Sequence, residues 1–309
     1  MILGSINPAV LMAALMVAAT PILLAAIGEL VVEKSGVLNL GVEGMMIMGA
    51  CVGFIIAVNT GSPFMGFIGA ALGGMALSLL FALLTQALMT NQVASGLALT
   101  LFGLGLTALL GQRYVGITPP RTPKLDLGFL SDIPFLGRAL FTHDIVVYLT
   151  IALVGAVWWF LKYSRAGMIL RAVGENHDAA HALGYHVKRV RVLAIMFGGA
   201  CAGLGGAYLS LIRVPQWTEG MTVGAGWIAL ALVVFASWRP WRAMAGAYLF
   251  GGIVVLQLNL QAAGVRIPVE YLSMSPYLIT ILVLVIISSG KGRSLNAPGS
   301  LNKPFHASS

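Results

Sequence analysis

Charge is what this sequence has least of. Residues 44–112 pass without one Asp, Glu, Lys or Arg, and over all 309 residues 9% are charged against 59% hydrophobic. A soluble globular chain carries about 25% charged residues, spread over its surface. The depletion excludes a water-facing domain. A bilayer core tolerates it, because burying an ion in hydrocarbon costs several kcal/mol while apolar side chains enter freely. Cysteine is scarce too. Cys51 and Cys201 both sit inside apolar runs and lack Cys-x-x-Cys spacing, so packed thiols are expected rather than a disulfide or a metal site. A basic n-region is also missing at the N-terminus, so the first apolar run is expected to stay as a span and not to leave as a signal peptide.

What is present is a series of apolar runs, each near the roughly 20 residues that a helix needs to cross the hydrocarbon. Residues 9–28 form one. The long uncharged run divides at Gly61-Ser62-Pro63 and at Thr90-Asn91-Gln92 into three more, and 145–161, 192–212, 220–238, 243–265 and 271–290 follow. The expectation is an all-α polytopic membrane protein of about nine transmembrane helices, within about eight to ten. Barrel strands would alternate polar and apolar residues, and these runs do not. The transmembrane domain is expected over 1–290, with a polar loop at 163–191 and a disordered cytoplasmic tail at 291–309.

Basic residues in short loops give the orientation. Lys162, Arg165, Arg171, Lys188, Arg189 and Arg191 fall in one loop, Arg239 and Arg242 in a later turn, and Lys291, Arg293 and Lys303 in the tail. With alternating spans these share one side, which is read as cytoplasmic, leaving the N-terminus outside. Arg113, Arg121, Lys124 and Arg138 oppose this from the other side, partly offset by Asp126 and Asp132. The formal charge of +8 therefore reads as topology and not as nucleic-acid binding. Glycine is abundant, at 38 residues, and falls four apart at Gly49 and Gly53, Gly69 and Gly73, and Gly199 and Gly203. Small residues at that spacing let helix backbones approach closely in lipid.

Two segments carry functional information. In the loop SRAGMILRAVGENHDAAHALGYHVKRVR, Asn176 can cap a short helix, Asp178 suits its positive end, and Gly184 can end it in the left-handed conformation. Ala179, Ala180 and Leu183 would form an apolar patch, either for a partner's groove or for this chain's own spans or the membrane. The other segment, GELVVEKSGVLNLGVEG, sets Glu29, Glu33, Lys34, Asn39 and Glu43 among glycines between two apolar runs. Residue pattern alone favours a solvated turn there, with a broken helix beside a translocation pathway as the alternative.

The stretch ELVVEKSGVLNLGVEGMMIMGA resembles the permease subunits of bacterial ABC importers in the branched-chain amino acid, simple-sugar and nucleoside group. It looks most like the shorter permease of nucleoside-type systems. The loop RAVGENHDAAHALGYHVKRVR is similar to that family's ATPase-contacting segment. The resemblance covers about residues 9–290. It implies a type II ABC importer-like bundle in the bacterial cytoplasmic (inner) membrane. The implied partners are an ABC ATPase subunit, a second permease subunit and an extracytoplasmic substrate-binding lipoprotein. It also implies a coupling helix at Glu175, Asn176, Ala179, Ala180, Leu183 and Gly184, and moves Asn39 and Glu43 toward a pathway or structural pivot.

Other constellations are weaker. His177-Asp178-Ala179-Ala180-His181 resembles His-Glu-x-x-His, but Asp is one methylene shorter than Glu and no third ligand is evident, so these read as solvated loop histidines. Ser-Ser-Gly-Lys-Gly near residue 290 lacks the earlier glycine and the hydroxyl residue after Lys that a phosphate loop needs. No cofactor and no covalent catalysis are expected. Gln257, Asn259 and Gln261 could hydrogen-bond a neutral polar solute or another helix. Trp217 and Glu219 could stack or steer a ligand, although interfacial anchoring suits Trp better. The reading is a permease for a small neutral polar solute, most of all nucleosides. A ribose-like sugar permease is the alternative, and an ion-coupled secondary transporter is a more distant one.

Overall fold

A computed structural model of the chain describes residues 8–123, 125, 137, 140–262 and 297–306, with isolated positions between 268 and 285. The described residues are helical with short connections. α1 spans Pro8–Lys34, α2 Val42–Thr60, α3 Pro63–Ala82 and α4 Gln92–Gly111. After the segment around 115–144 come α5 (Ile145–Tyr163), α6 (Arg165–Glu175), α7 (His177–Ala182) and α8 (Val187–Tyr208). α9 (Ala225–Phe235) and α10 (Pro240–Ala262) complete the described helices. Single π turns, Leu83–Ala87 and Leu209–Arg213, extend α3 and α8.

Seven of these helices are long and apolar enough to cross a membrane: Ala9–Lys34, Val42–Thr60, Pro63–Ala87, Gln92–Tyr114, Ile145–Tyr163, Val187–Arg213 and Pro240–Ala262. The all-α polytopic class is as expected. Residues 220–238, expected as a span, instead hold the 11-residue α9. At 1.5 Å per residue it reaches roughly half of a 30 Å hydrocarbon core, so it cannot cross alone. The last expected span, 271–290, lies largely outside the described residues.

The helix ends follow from local chemistry. Gly61 closes α2 in the left-handed conformation at φ 66°, and Ser62 with Pro63 opens α3. Asn91 caps α4, accepting from Ala94 N at 3.0 Å. Asp144 caps α5 through Val146 N and Val147 N, while its second oxygen accepts from the Tyr208 hydroxyl at 2.8 Å, tying α5 to α8.

α8 is the central post of the bundle, against which α1, α2 and α3 pack. All six glycines spaced four apart lie at helix contacts. Gly203 faces Gly49, Ala70 and Gly74, Gly199 faces Gly74 and Ser78, and Gly53 faces Ala70, while Gly69 and Gly73 receive Ile56 and Val52. A side chain at Gly206 would overlap the carbonyl of Met46. Backbones this close exchange dispersion contacts that larger residues would prevent. Cys51 and Cys201 are free and buried in this packing. Trp217 is also buried, against Gly111 and the Cys51–Phe54 region, and not at an interface.

Candidate functional site

Beyond α5 the chain leaves the bundle through two short helices. Ser164 caps α6, its hydroxyl accepting from Gly167 N at 2.9 Å, and α6 turns Gly167, Leu170, Val173 and Gly174 inward. Asn176 then caps α7, accepting from Asp178 N at 3.1 Å and Ala179 N at 3.0 Å. At the other end Gly184 N donates to His181 O at 2.8 Å and Tyr185 N to Ala180 O at 3.1 Å. This paired closure needs a left-handed residue, and Gly184 supplies it at φ 86°.

The expected apolar patch divides. Ala180 turns inward against Val173, Val187 and Phe305. Ala179 is exposed and Leu183 is 76% exposed, one turn apart on the outer face. Glu175, Asn176 and Gly184 are exposed as well. His177, read from sequence as a solvated loop residue, is buried. It packs edge-on to Phe305, its Nδ1 lies 3.2 Å from Arg191, and its Nε2 lies 3.5 Å from Asp178. Among the described residues no group of three His, Cys, Asp or Glu could hold a metal ion.

Residues 297–306, expected to belong to a disordered tail, are seated on this unit. Ser300 N donates to Gly174 O at 2.8 Å, and Ser300 Oγ accepts from His177 N at 3.1 Å. Phe305 is 6% exposed, with both His177 and His181 against its ring. Composition concealed this because polar anchoring by a few backbone groups leaves no apolar run to read.

The 35–41 segment forms an elbow between α1 and α2, and it is not solvated. Glu29 accepts from Asn39 N at 3.2 Å and from Asn39 Nδ2 at 3.4 Å, while Asn39 Oδ1 accepts from Gly41 N at 3.0 Å. Leu38 N donates to Gln92 Oε1 at 2.8 Å, joining the elbow to α4. Glu43 is 3% exposed. Its two oxygens accept from Thr222 Oγ1 and Gly226 N, each at 2.8 Å, at the start of α9. A carboxylate there meets free N–H groups and the positive end of the helix dipole. Past the other end of α9, the Trp238 indole donates to Glu33. Ser237 and Trp238 both take positive φ, 50° and 55°, a strained turn that this bond holds. Both ends of the half-length helix are thus pinned by acids of other helices.

Thr222 also lines a cavity of about 230 Å³ bounded by α1, the end of α8, α9 and α10. Arg213, Thr222 and Gln257 supply its polar side, with Ile22, Leu209 and Phe250 among its apolar walls. Asn259 donates to Val255 O at 2.8 Å on its own helix, and Gln261 is half-buried one turn beyond Gln257. Of the five pathway residues expected from sequence, Gln257 therefore faces this cavity, whereas Asn39 is bound into the elbow and Glu43 to the start of α9. A larger hollow of about 420 Å³ between α1, α5, α6 and α8 is walled by apolar side chains. Arg213 and Thr222 carried no sequence signal, being a lone cation at a span end and a lone hydroxyl.

Among the described residues, a bundle with seven helices long and apolar enough to cross a membrane holds a cavity with a polar side, and a capped short helix lies beyond it. Residues 11–287 match the family described as branched-chain amino acid transport system / permease component. The chain belongs to that family and is an ABC transporter permease subunit. It is 45% identical to a putative glucose ABC transporter permease protein of Haloferax volcanii, over 86% of this chain and 88% of that one. It is 32% identical to the guanosine ABC transporter permease protein NupQ of Bacillus subtilis, over 89% and 91% respectively. Against the nucleoside ABC transporter permease protein NupC of Lactococcus lactis identity is 30%, over 94% and 95%. These relatives are transport proteins and not enzymes. No solved structure matches the chain significantly.

Proposed function

We propose that this subunit works in an importer that moves a small neutral polar solute, nucleosides first, inward across the cytoplasmic membrane. It pairs with a second permease subunit, receives solute from an extracytoplasmic binding protein and is driven by an ABC ATPase subunit seated on α7. The carrying observation is the outer face of α7: Leu183, 76% exposed beside Ala179, has a firmly capped frame and no cover from the described residues. An exposed apolar residue on a short rigid helix suits a groove in a partner. Glu175, Asn176 and Gly184 frame that contact, and Ala180 supports it from beneath. The basic residues of the 162–191 loop support a cytoplasmic placement, with the N-terminus outside.

For the solute, the cavity beside α9 supports a neutral polar ligand, because the Gln257 amide can both donate and accept, while the Thr222 hydroxyl, its proton given to Glu43, can accept. Asn259 and Gln261 extend the same helix toward that pathway, and Asn39 and Glu43 serve as its pivot. A sugar is the second reading, favoured by the 45% identity to a permease named for glucose. The test of the class is uptake in proteoliposomes holding the assembled importer. It is expected to need ATP and the separate ATPase subunit. Uptake by this chain alone on a proton or sodium gradient overturns the reading.

A further inference from the structure

The Arg191 side chain, in the second turn of α8, is 0% exposed and holds together three segments distant in sequence. Its Nε donates to Ser35 O at 3.3 Å in the α1–α2 elbow, and one terminal nitrogen donates to Lys303 O at 3.1 Å in the seated tail. The other terminal nitrogen lies 3.2 Å from His177 Nδ1 at the start of α7. A guanidinium only donates, so Nδ1 must accept and His177 must be neutral with its proton on Nε2. All three hydrogen-bond partners are uncharged. Burying a cation among neutral acceptors is a costly way to hold a fold, since apolar side chains of similar volume often do as well or better. A planar fork of fixed donors, by contrast, can bind three backbones in one geometry, which neither an apolar residue nor Lys can do.

The surroundings extend this junction in both directions. Gly36, at φ 87°, lies so close that a Cβ there would stand 3.0 Å from the Arg191 guanidinium, 3.2 Å from Ser300 O and 3.3 Å from Gly174 Cα. On the far side of the elbow, Glu29 holds Asn39, and Glu43 holds Thr222 at the cavity wall. The elbow chain from Ser35 to Glu43 thus runs from the Arg191 contact beside α7 to the residue that holds the cavity wall.

We propose that Arg191 is a positioning residue of transport: with the 297–306 strap it carries displacement of α7 into the α1–α2 elbow, and so to the cavity. This rests on the reading of α7 as the ATPase contact. Without the fork, α7 still receives the ATPase but moves without moving the elbow.

The test uses the complete importer in proteoliposomes, scored for ATPase co-purification, ATP hydrolysis and uptake of whichever labelled solute the wild type moves. Arg191→Gln, Arg191→Lys and deletion of 297–309 are each expected to retain the ATPase, yet to move about tenfold or more less solute per ATP hydrolysed. Phe305→Ala, which opens the seat of the strap while leaving Arg191 in place, is expected to lower the same ratio. Leu183→Asp separates the two readings. Loss of the ATPase in Leu183→Asp with wild-type ratios in the other variants overturns the Arg191 proposal alone. Normal co-purification and uptake in Leu183→Asp overturns the docking reading beneath it. Loss of the ATPase in Arg191→Lys and Phe305→Ala also overturns the proposal, because the junction would then build the docking surface rather than act behind it.

Discussion

Thr222 donates its hydroxyl proton to Glu43 Oε1 at 2.8 Å, so the wall of the cavity beside α9 is fastened to the first turn of α2 by a buried carboxylate. The second oxygen takes the Gly226 N–H of α9 at 2.8 Å. Glu43→Ala strands both donors, at about 1–3 kcal/mol each for a buried unsatisfied group. Gln can replace both bonds, since its oxygen can accept from Gly226 and its amide can donate to the Thr222 hydroxyl. Thermal unfolding in detergent should therefore show a marked loss of stability in Glu43→Ala and a small one in Glu43→Gln, with uptake following stability. A stable Glu43→Gln that no longer transports would show that the charge itself acts in transport.

The membrane class and most span limits were legible because hydrocarbon filters composition so strictly. Two features were not. α9 hides inside an apolar stretch of normal span length, since hydropathy does not register that Gly224 opens it late or that Ser237 and Trp238 turn the chain early. The elbow looked solvated because its polar residues were judged singly. Glu29 and Asn39 satisfy each other only after α1 extends to Lys34, which folds the next segment back alongside. For α7, cap chemistry at Asn176 and Gly184 read correctly from sequence. The inward turn of Ala180 did not, because its cover, Phe305, comes from the far end of the chain.

Close packing around α8 predicts a sharp contrast between glycines. A side chain at Gly206 would overlap backbone atoms of Met46 and Ala50, which cannot swing aside, whereas nothing lies within 4 Å of a Cβ at Gly105. Gly206→Val is expected to abolish recovery of folded protein. Gly105→Ala should leave it unchanged or slightly better, because Ala is favoured over Gly within a helix by about 1 kcal/mol. Monodispersity in size-exclusion chromatography distinguishes these outcomes. Equal recovery would contradict the backbone contact.

At α7 three substitutions should separate. Leu183→Asp removes the exposed apolar contact and is expected to lose the ATPase with the chain still inserted and folded. Gly184→Val forces a β-branched residue into left-handed backbone, at about 1 kcal/mol or more, and should weaken both α7 and ATPase retention. Ala180→Glu places a charge against Phe305 and Val173, so its first effect should be on this chain's own stability. Co-purification alongside melting measurements reads all three.

The His177 imidazole sets a pH dependence. Burial holds it below its ordinary value of about 6.5, and the cations of Arg191 and, more weakly, Lys303 act the same way against the opposing pull of Asp178. A histidine held neutral by the fold contributes stability that is fully present above the unfolded value of about 6.5. That contribution is lost as pH falls through the lower folded value, because the unfolded chain then binds the extra proton. The melting temperature of the assembled importer should therefore drop as the pH is lowered below about 6.5. His177→Asn keeps an acceptor without a titrating group and should flatten that slope. Parallel slopes would mean that His177 does not govern it.

The solute is the last question, and the cavity constrains it. A nucleotide or sugar phosphate would need several clamping cations. Among the described cavity residues Arg213 alone carries a positive charge, so a neutral ligand with hydroxyls or ring carbonyls fits better. Nucleosides and sugars both meet that description. A nucleoside adds a base whose faces can lie on the apolar walls near Phe250, and sugar binding leaves those walls unused. Uptake of labelled inosine, uridine, ribose and glucose should be compared in cells with and without this gene. Nucleoside uptake that depends on the gene supports the first reading, whereas dependence confined to ribose or glucose replaces it with the sugar reading. Gln257→Leu sharpens the result, because it removes the amide while keeping most of the volume. It should raise KM for the transported solute several-fold while assembly with the ATPase stays normal. Unchanged KM would remove this cavity from the solute's path, whichever solute is carried.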